Sequence, residues 1–337
     1  MQRFFFGLAL VIAAVWAMNT SLFRSFPDGG AARVIAHRGQ HQTFDRADLD
    51  NDTCTAERIH PPEHAFLENT LPSMEAAFAA GADVVELDVH LTPDGQFAVF
   101  HDWTLDCRTD GEGVTEKTPM SVLRTLDIGY GYTADDGKTF PFSGKGVGMM
   151  PTLDEVFARF PDRKFLINFK SRRTEEGTEL ARQLLADPRK RAAVYGVYGG
   201  TEPTETVIAS VDGMLGYSRS SVTSCLLTYL ALGWSGHVPD SCAGRLVPVP
   251  QNFAFLLWGW PHRFVERMAS AGSEVILVGP FTAGDPGTAG LDEVETWANI
   301  PQSFPGLIWT NRIERAAEFA RASGYCQGRQ PSGICAP

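Results

Sequence analysis

From Pro27 onward, short apolar runs alternate with amphipathic stretches, and that alternation limits what the chain can fold into. Strands are expected at 33–36, 83–89, 97–101, 164–169, 192–197, 213–217, 245–249, 274–278 and 306–310. Helices are expected at 70–80, 119–126, 152–160, 174–186, 203–210, 221–232, 261–271, 291–298 and 312–322. ENTLPSMEAAFAAG (68–81) shows the helix signals: Asn69 or Thr70 can cap the start, Ala and Met fill the middle, and Gly81 ends it. Alternation of this kind calls for a parallel sheet covered by helices, and about eight units call for an α/β TIM (β/α)₈ barrel. Nine candidates compete for those places. The expected surplus is 97–101, because TPDG (92–95) reads as a hairpin turn, with 245–249 the second suspect. A doubly wound open sheet is the competing fold, but no Gly-rich dinucleotide or phosphate loop supports it.

Two segments interrupt the rhythm, 40–67 and 129–151. Loops this long are read as insertions at the face of a barrel that carries its active site. The net charge of −11 becomes −13 without the first 26 residues, which hold only Arg3 and Arg24 as charges. A basic face for nucleic acid is therefore not expected. MQRFFFGLALVIAAVWAMNTSLFRSF (1–26) reads as a secretory signal or a short N-terminal membrane anchor, leaving 27–337 as the folded domain. Six cysteines beside an export signal suggest disulfides and an extracytoplasmic location, periplasmic or secreted. Proximity favours Cys225–Cys242 and Cys326–Cys335, which leaves Cys54–Cys107.

Several strand ends carry chemistry. VIAHRGQ (34–40) delivers His37, Arg38 and Gly39: a proton carrier, a two-pronged phosphate ligand and a residue that lets backbone approach closely. VVELDVH (84–90) puts Glu86 and Asp88 two apart, on one face of a strand, where two buried carboxylates need a cation such as Mg²⁺ or Ca²⁺, or an internal Lys or Arg. AVFHDW ends a strand with His101 and Asp102, and FLINFK puts Asn168 and Lys170 on one face. His41, His60, His64, His90, His237 and His262 read as loop or surface residues, with His90 set slightly apart by its nearness to the acid pair. FLLWGWPHRF (255–264) reads first as core packing, with a lipid-facing role second.

His37-Arg38-Gly39, Glu68-Asn69-Thr70, Glu86-Leu87-Asp88, His101-Asp102 and Asn168-Phe169-Lys170, in that order, resemble the signature of the glycerophosphodiester phosphodiesterase family. GLIWTNRIE (306–314) resembles the family's closing strand in altered form. The resemblance implies a TIM barrel and metal-dependent hydrolysis of a small-molecule glycerophosphodiester, or a phospholipid-derived substrate, to sn-glycerol 3-phosphate and an alcohol. It makes His37 and His101 the general acid/base pair; His37 is taken here as the base and His101 as the acid, with roles exchanging between steps. Arg38 and Lys170 become phosphate ligands, and Glu86, Asp88, Glu68 and Asn168 become ligands of a divalent metal (Mg²⁺ or Ca²⁺). The attacking group would be a neighbouring hydroxyl of the substrate, giving a cyclic phosphate that water then opens. Asn168 departs from the family's usual Glu, which removes one negative charge from the metal site. A phospholipase D-like lyase acting on intact lipid and a weakened phosphate-binding barrel are the alternatives. Membrane contact would come through the N-terminal segment.

Overall fold

The computed structural model describes residues 2–22, 32–50, 53–283, 289–327 and 333–335, so the boundary expected at 26/27 lies outside the described residues. Among the described residues nine strands form one sheet: β1 Arg33–Ala36, β2 Val84–Leu91, β3 Phe97–Val99, β4 Lys164–Phe169, β5 Val194–Gly199, β6 Leu215–Ser218, β7 Leu246–Pro250, β8 Glu274–Val278 and β9 Leu307–Thr310. Eight are parallel in the order β6-β5-β4-β2-β1-β9-β8-β7 and make a nearly closed barrel, with β6 and β7 facing each other across the gap. β3 lies off this path, antiparallel to β2, as the turn before it foretold. The second suspect, 245–249, is a full member instead: β7 pairs with β8 along its five residues. The open doubly wound alternative is excluded by this near-closure. A helix at Pro188–Ala193 escaped the sequence reading; Pro188 occupies its first turn and the Asp187 side chain caps Arg189 N.

Alternation along the strands makes two apolar layers. Val85, Leu87 and Val89 of β2 face outward and pack with Met74, Phe78 and Phe157 of the surrounding helices. Inside the barrel, Val84 joins Ile35, Leu166, Leu246, Ile276, Leu307 and Trp309. Glu86 and Asp88 therefore continue the inner face toward the mouth. A third cluster, including Ala56, Ile59, Leu67, Phe100, Leu105, Tyr132 and Phe142, joins the loop after β1 to the long connection between β3 and β4. This makes the two inserted segments a cap with its own core. Disulfides join Cys54–Cys107, Cys225–Cys242 and Cys326–Cys335, the pairing expected from spacing. The first of them ties the two halves of the cap together.

Residues Gln2–Asn19 form a helix whose Phe4, Phe5, Phe6, Leu10, Val11, Ile12 and Trp16 side chains are exposed. Among the described residues no helix is long and apolar enough to cross a membrane. The expectation of core packing for 255–264 holds for Leu257 and Phe264, but Phe255, Leu256 and Trp258 are exposed.

Candidate active site

The HRG turn is built by close backbone approach. β1 ends at Ala36, His37 N donates to Thr310 O of β9, and the chain then turns with φ of +56° at Arg38 and +78° at Gly39. A Cβ on Gly39 would meet Ser73 Oγ at 2.5 Å and the Ser73 carbonyl carbon at 2.9 Å, so only glycine fits. Ser73 stands there because the helix Leu71–Ala79 begins at Thr70, whose side chain caps Ser73 N.

Each residue of Glu68-Asn69-Thr70 has a separate task. Thr70 caps the helix. Asn69, with φ of +60°, grips Asp88 twice: its Nδ2 donates to Asp88 Oδ2 (2.8 Å), and its Oδ1 accepts from Asp88 N (3.1 Å). Glu68 lies between two guanidinium groups, with Oε1 accepting from Arg38 Nη1 (3.1 Å) and Oε2 lying 3.0 Å from Arg108 Nη1. Both oxygens of this expected metal ligand thus face arginines.

Glu86 and Asp88 are fully buried. Glu86 Oε2 accepts from Arg38 N (3.0 Å), and Oε1 accepts from the Tyr198 hydroxyl (2.6 Å). Asp88 Oδ1 accepts from Asn168 Nδ2 (2.8 Å) and lies 3.6 Å from Lys170 Nζ, while Oδ2 lies 3.4 Å from Arg38 Nε. The two carboxyls titrate in opposite directions. Burial and the neighbouring Asp88 charge push Glu86 far above the usual carboxylate range. Burial acts the same way on Asp88, but Lys170, His101 and Arg38 overcome it and hold that group ionised.

The two histidines have different partners. His37 Nδ1 lies 2.6 Å from Asn311 Oδ1, and its Nε2 accepts from Arg38 Nε (3.1 Å). Asn311 is in turn held by Asp292, which accepts from its Nδ2 and backbone N, each at 2.7 Å. His101 Nδ1 lies 2.7 Å from Asp102 Oδ1, and Asp102 Oδ2 accepts from Arg108 Nε (2.8 Å). Both imidazoles are held well below their ordinary pKa. Burial is the main cause for each, followed by Arg38 and His41 at His37, and by Arg38 and Lys170 at His101. Burial also lowers Arg38, but Glu68, Asp88 and Glu86 more than reverse that and keep its guanidinium charged.

The structure thus brings His37, Arg38, Glu68, Glu86, Asp88, His101, Asn168 and Lys170 into one linked cluster. Sequence reasoning missed Arg108, Asn311, Asp292 and Tyr198, which support it from distant strands and loops; only the position of Asn311 in the altered closing-strand motif hinted at one of them. It also misplaced two histidines. His41 is buried, with its ring centroid 5.8 Å from that of His37. His90 shares the inner face of β2 with Glu86 and Asp88, and burial lowers its pKa to about 4.

Among the described residues, no group of three or more His, Cys, Asp and Glu side chains is arranged to hold a metal. The donor chemistry nevertheless fits a hard cation. The cluster sets four carboxylates (Glu68, Glu86, Asp88, Asp102) against three cations (Arg38, Arg108, Lys170), and Glu86 lacks a full countercharge. Two of the oxygen donors would come from Glu86 and Asp88. Asn168 presents its NH₂ to Asp88, and a half-turn of the amide would offer its carbonyl oxygen instead.

The model of the glycerophosphoryl diester phosphodiesterase family matches residues 37–193, which contain all eight of these residues. A glycerophosphodiester phosphodiesterase of Caldanaerobacter subterraneus subsp. tengcongensis is 38% identical over 103 residues, covering 31% of this chain and 39% of that protein. The chain thus spans about two fifths of the length of such curated relatives. Among solved structures, the glycerophosphoryl diester phosphodiesterase domain of a Mycobacterium tuberculosis protein superposes with a TM-score of 0.58 at 17% identity, covering 86% of this chain and 98% of that one. A phosphodiesterase of Oleispira antarctica, solved in complex with the product sn-glycerol-3-phosphate, superposes with a TM-score of 0.50 at 20% identity, covering 86% and 96%. At these identities the superpositions establish the barrel.

Proposed function

Since through residues 37–193 the chain belongs to the glycerophosphoryl diester phosphodiesterase family, we propose that it hydrolyses glycerophosphodiesters to sn-glycerol 3-phosphate and an alcohol, with His37 and His101 moving the protons. The observation that carries this reading is the position of Arg38. Its guanidinium touches His37 and Glu68 and lies beside Asp88, while its backbone N–H holds Glu86. A phosphate drawn to Arg38 and Lys170 therefore lies among both histidines and the acid pair.

The unequal partners of the histidines support unequal roles. His37 has a neutral amide behind it and Arg38 beside it, so it stays unprotonated and acts as the base on the attacking hydroxyl. His101 has a carboxylate behind it, which favours its imidazolium form. In the free protein Arg38 and Lys170 help to suppress that form. An anionic phosphate seated on those two cations offsets them, so the substrate itself promotes protonation of the acid that the leaving alkoxide needs. In the second step the roles exchange, and water supplies the hydroxyl. A divalent cation would be held by Glu86 and Asp88, with Asn168 and Glu68 nearby, and when bound would draw charge from a phosphoryl oxygen.

Three disulfides support an extracytoplasmic location. The apolar side chains exposed along Gln2–Asn19 support reading 1–26 as an export or anchoring segment that could touch a membrane, with 27–337 as the barrel domain.

The test is hydrolysis of short-chain glycerophosphodiesters by the wild type and His37→Ala, each with chelator, Mg²⁺ or Ca²⁺. Turnover that requires both His37 and a metal is expected. Wild-type turnover confined to intact phospholipid would move the reading to the lyase. Substrate binding without turnover under any condition would leave a phosphate-binding barrel.

A further inference from the structure

Arg108 is the largest charged side chain buried in the cap, 2% exposed, and each of its nitrogens has a partner. Nε donates to Asp102 Oδ2 (2.8 Å), Nη1 donates to Tyr132 Oη (2.7 Å) and lies 3.0 Å from Glu68 Oε2, and Nη2 donates to Thr55 Oγ1. The two carboxylates do not end there. The other oxygen of Asp102 meets His101 Nδ1, and the other oxygen of Glu68 meets Arg38 Nη1. One planar guanidinium thus stands behind both the imidazole on one side of the site and the phosphate ligand on the other.

The surroundings of Arg108 are themselves fixed. Arg108 follows Cys107, and its partner Thr55 follows Cys54, so the Cys54–Cys107 disulfide joins the backbones immediately before both. Tyr132 comes from a third segment, which approaches so closely that a Cβ on Gly131 would lie 1.9 Å from Cys107 O. Thr133 N donates to Ala56 O, and Ile59 N donates to Thr133 O, completing the clasp.

We propose that Arg108 is a positioning residue that sets His101, through Asp102, and Arg38, through Glu68, in one geometry, and that the Cys54–Cys107 disulfide holds it there. The cap thereby acts on the chemistry through Asp102 and Glu68. This rests on the reading that His101 protonates the leaving group and Arg38 binds the phosphate.

The test compares two substrates of the full-length protein, a glycerophosphodiester with an alkyl leaving group and one with p-nitrophenol, which departs without help from an acid. Loss of Arg108 should impair both substrates through Arg38, and the alkyl one further through His101. Arg108→Gln is expected to lower kcat by about 10²-fold on the alkyl ester and by about tenfold or less on the aryl ester, with KM raised for both. Arg108→Lys should not remove the difference, because an ammonium cannot span both carboxylates in a fixed plane. Equal losses on the two substrates, or a lower folded fraction with unchanged kcat per folded molecule, would overturn the proposal. Tyr132→Phe and the double variant Cys54→Ala/Cys107→Ala give the same leaving-group comparison should Arg108→Gln fail to fold. The underlying reading fails separately, if the wild type turns over neither substrate or if His101→Ala keeps full activity on the alkyl ester.

Discussion

His37 Nδ1 and Asn311 Oδ1 lie 2.6 Å apart although 274 residues separate them in the chain. The contact exists because β1 and β9 are neighbours in the barrel, paired from Arg33–Leu307 to Ala36–Thr310. Asn311 holds the tautomer that leaves His37 Nε2 free of its own hydrogen, and Asp292 holds Asn311. Asn311→Ala is expected to lower kcat by about 10²-fold with little change in KM, because it frees the ring and leaves Arg38 and Lys170, the proposed phosphate ligands, in place. Steady-state kinetics on a glycerophosphodiester check this; an unchanged kcat would remove Asn311 from the machinery.

Acid should destabilise the protein through its buried histidines. His37, His90 and His101 are all depressed in the folded state, His90 to about 4. In the unfolded chain they bind protons from about pH 6.5 downward. Between those limits the unfolded state takes up more protons, so the stability present above pH 6.5 is lost as the pH falls toward 4. Thermal melts at half-unit pH steps should show Tm declining across that window, and His90→Gln should flatten part of the decline.

Asn168→Glu should restore the charge missing from the acid pair. Without metal, a third acid beside Glu86 and Asp88 is expected to lower Tm through like-charge repulsion. With Mg²⁺ or Ca²⁺ the variant should recover more Tm than the wild type does, since ligand charge strengthens the hold on a hard cation. Melts with chelator and with each metal measure this independently of activity. An identical metal response in both proteins would mean that Asn168 does not face the ion.

Gly39→Ala tests the HRG turn. The positive φ and the contact with Ser73 together are expected to destabilise the fold by about 1–3 kcal/mol. The same shift would displace Arg38, so KM should rise more than for a comparable substitution at an exposed glycine such as Gly95. Denaturant titration paired with kinetics separates the two effects.

Much of this arrangement is legible in the chain because it follows from local periodicity. Apolar runs marked every strand, TPDG marked β3 as the antiparallel one, and the two-residue period turned Glu86 and Asp88 to the same face before any fold was known. His37, His101 and Lys170 lie just beyond strand ends, and strand ends can be found from hydrophobicity alone.

Tertiary structure decided which groups stand behind them. Arg108, Asn311, Asp292 and Tyr198 act through partners 6 to 274 residues away, and no periodicity connects a side chain to a neighbour delivered by barrel closure. Burial was hidden for the same reason. His41 and His90 read as loop or surface residues in sequence, yet both are buried. The sequence by itself determined the strands, the faces of their side chains and the family motifs, because those depend on residues close together in the chain. Only the nearly closed barrel and its stapled cap decided the orientation of the site and the charges that bear on its protonation, because those depend on groups brought side by side from distant parts of the chain.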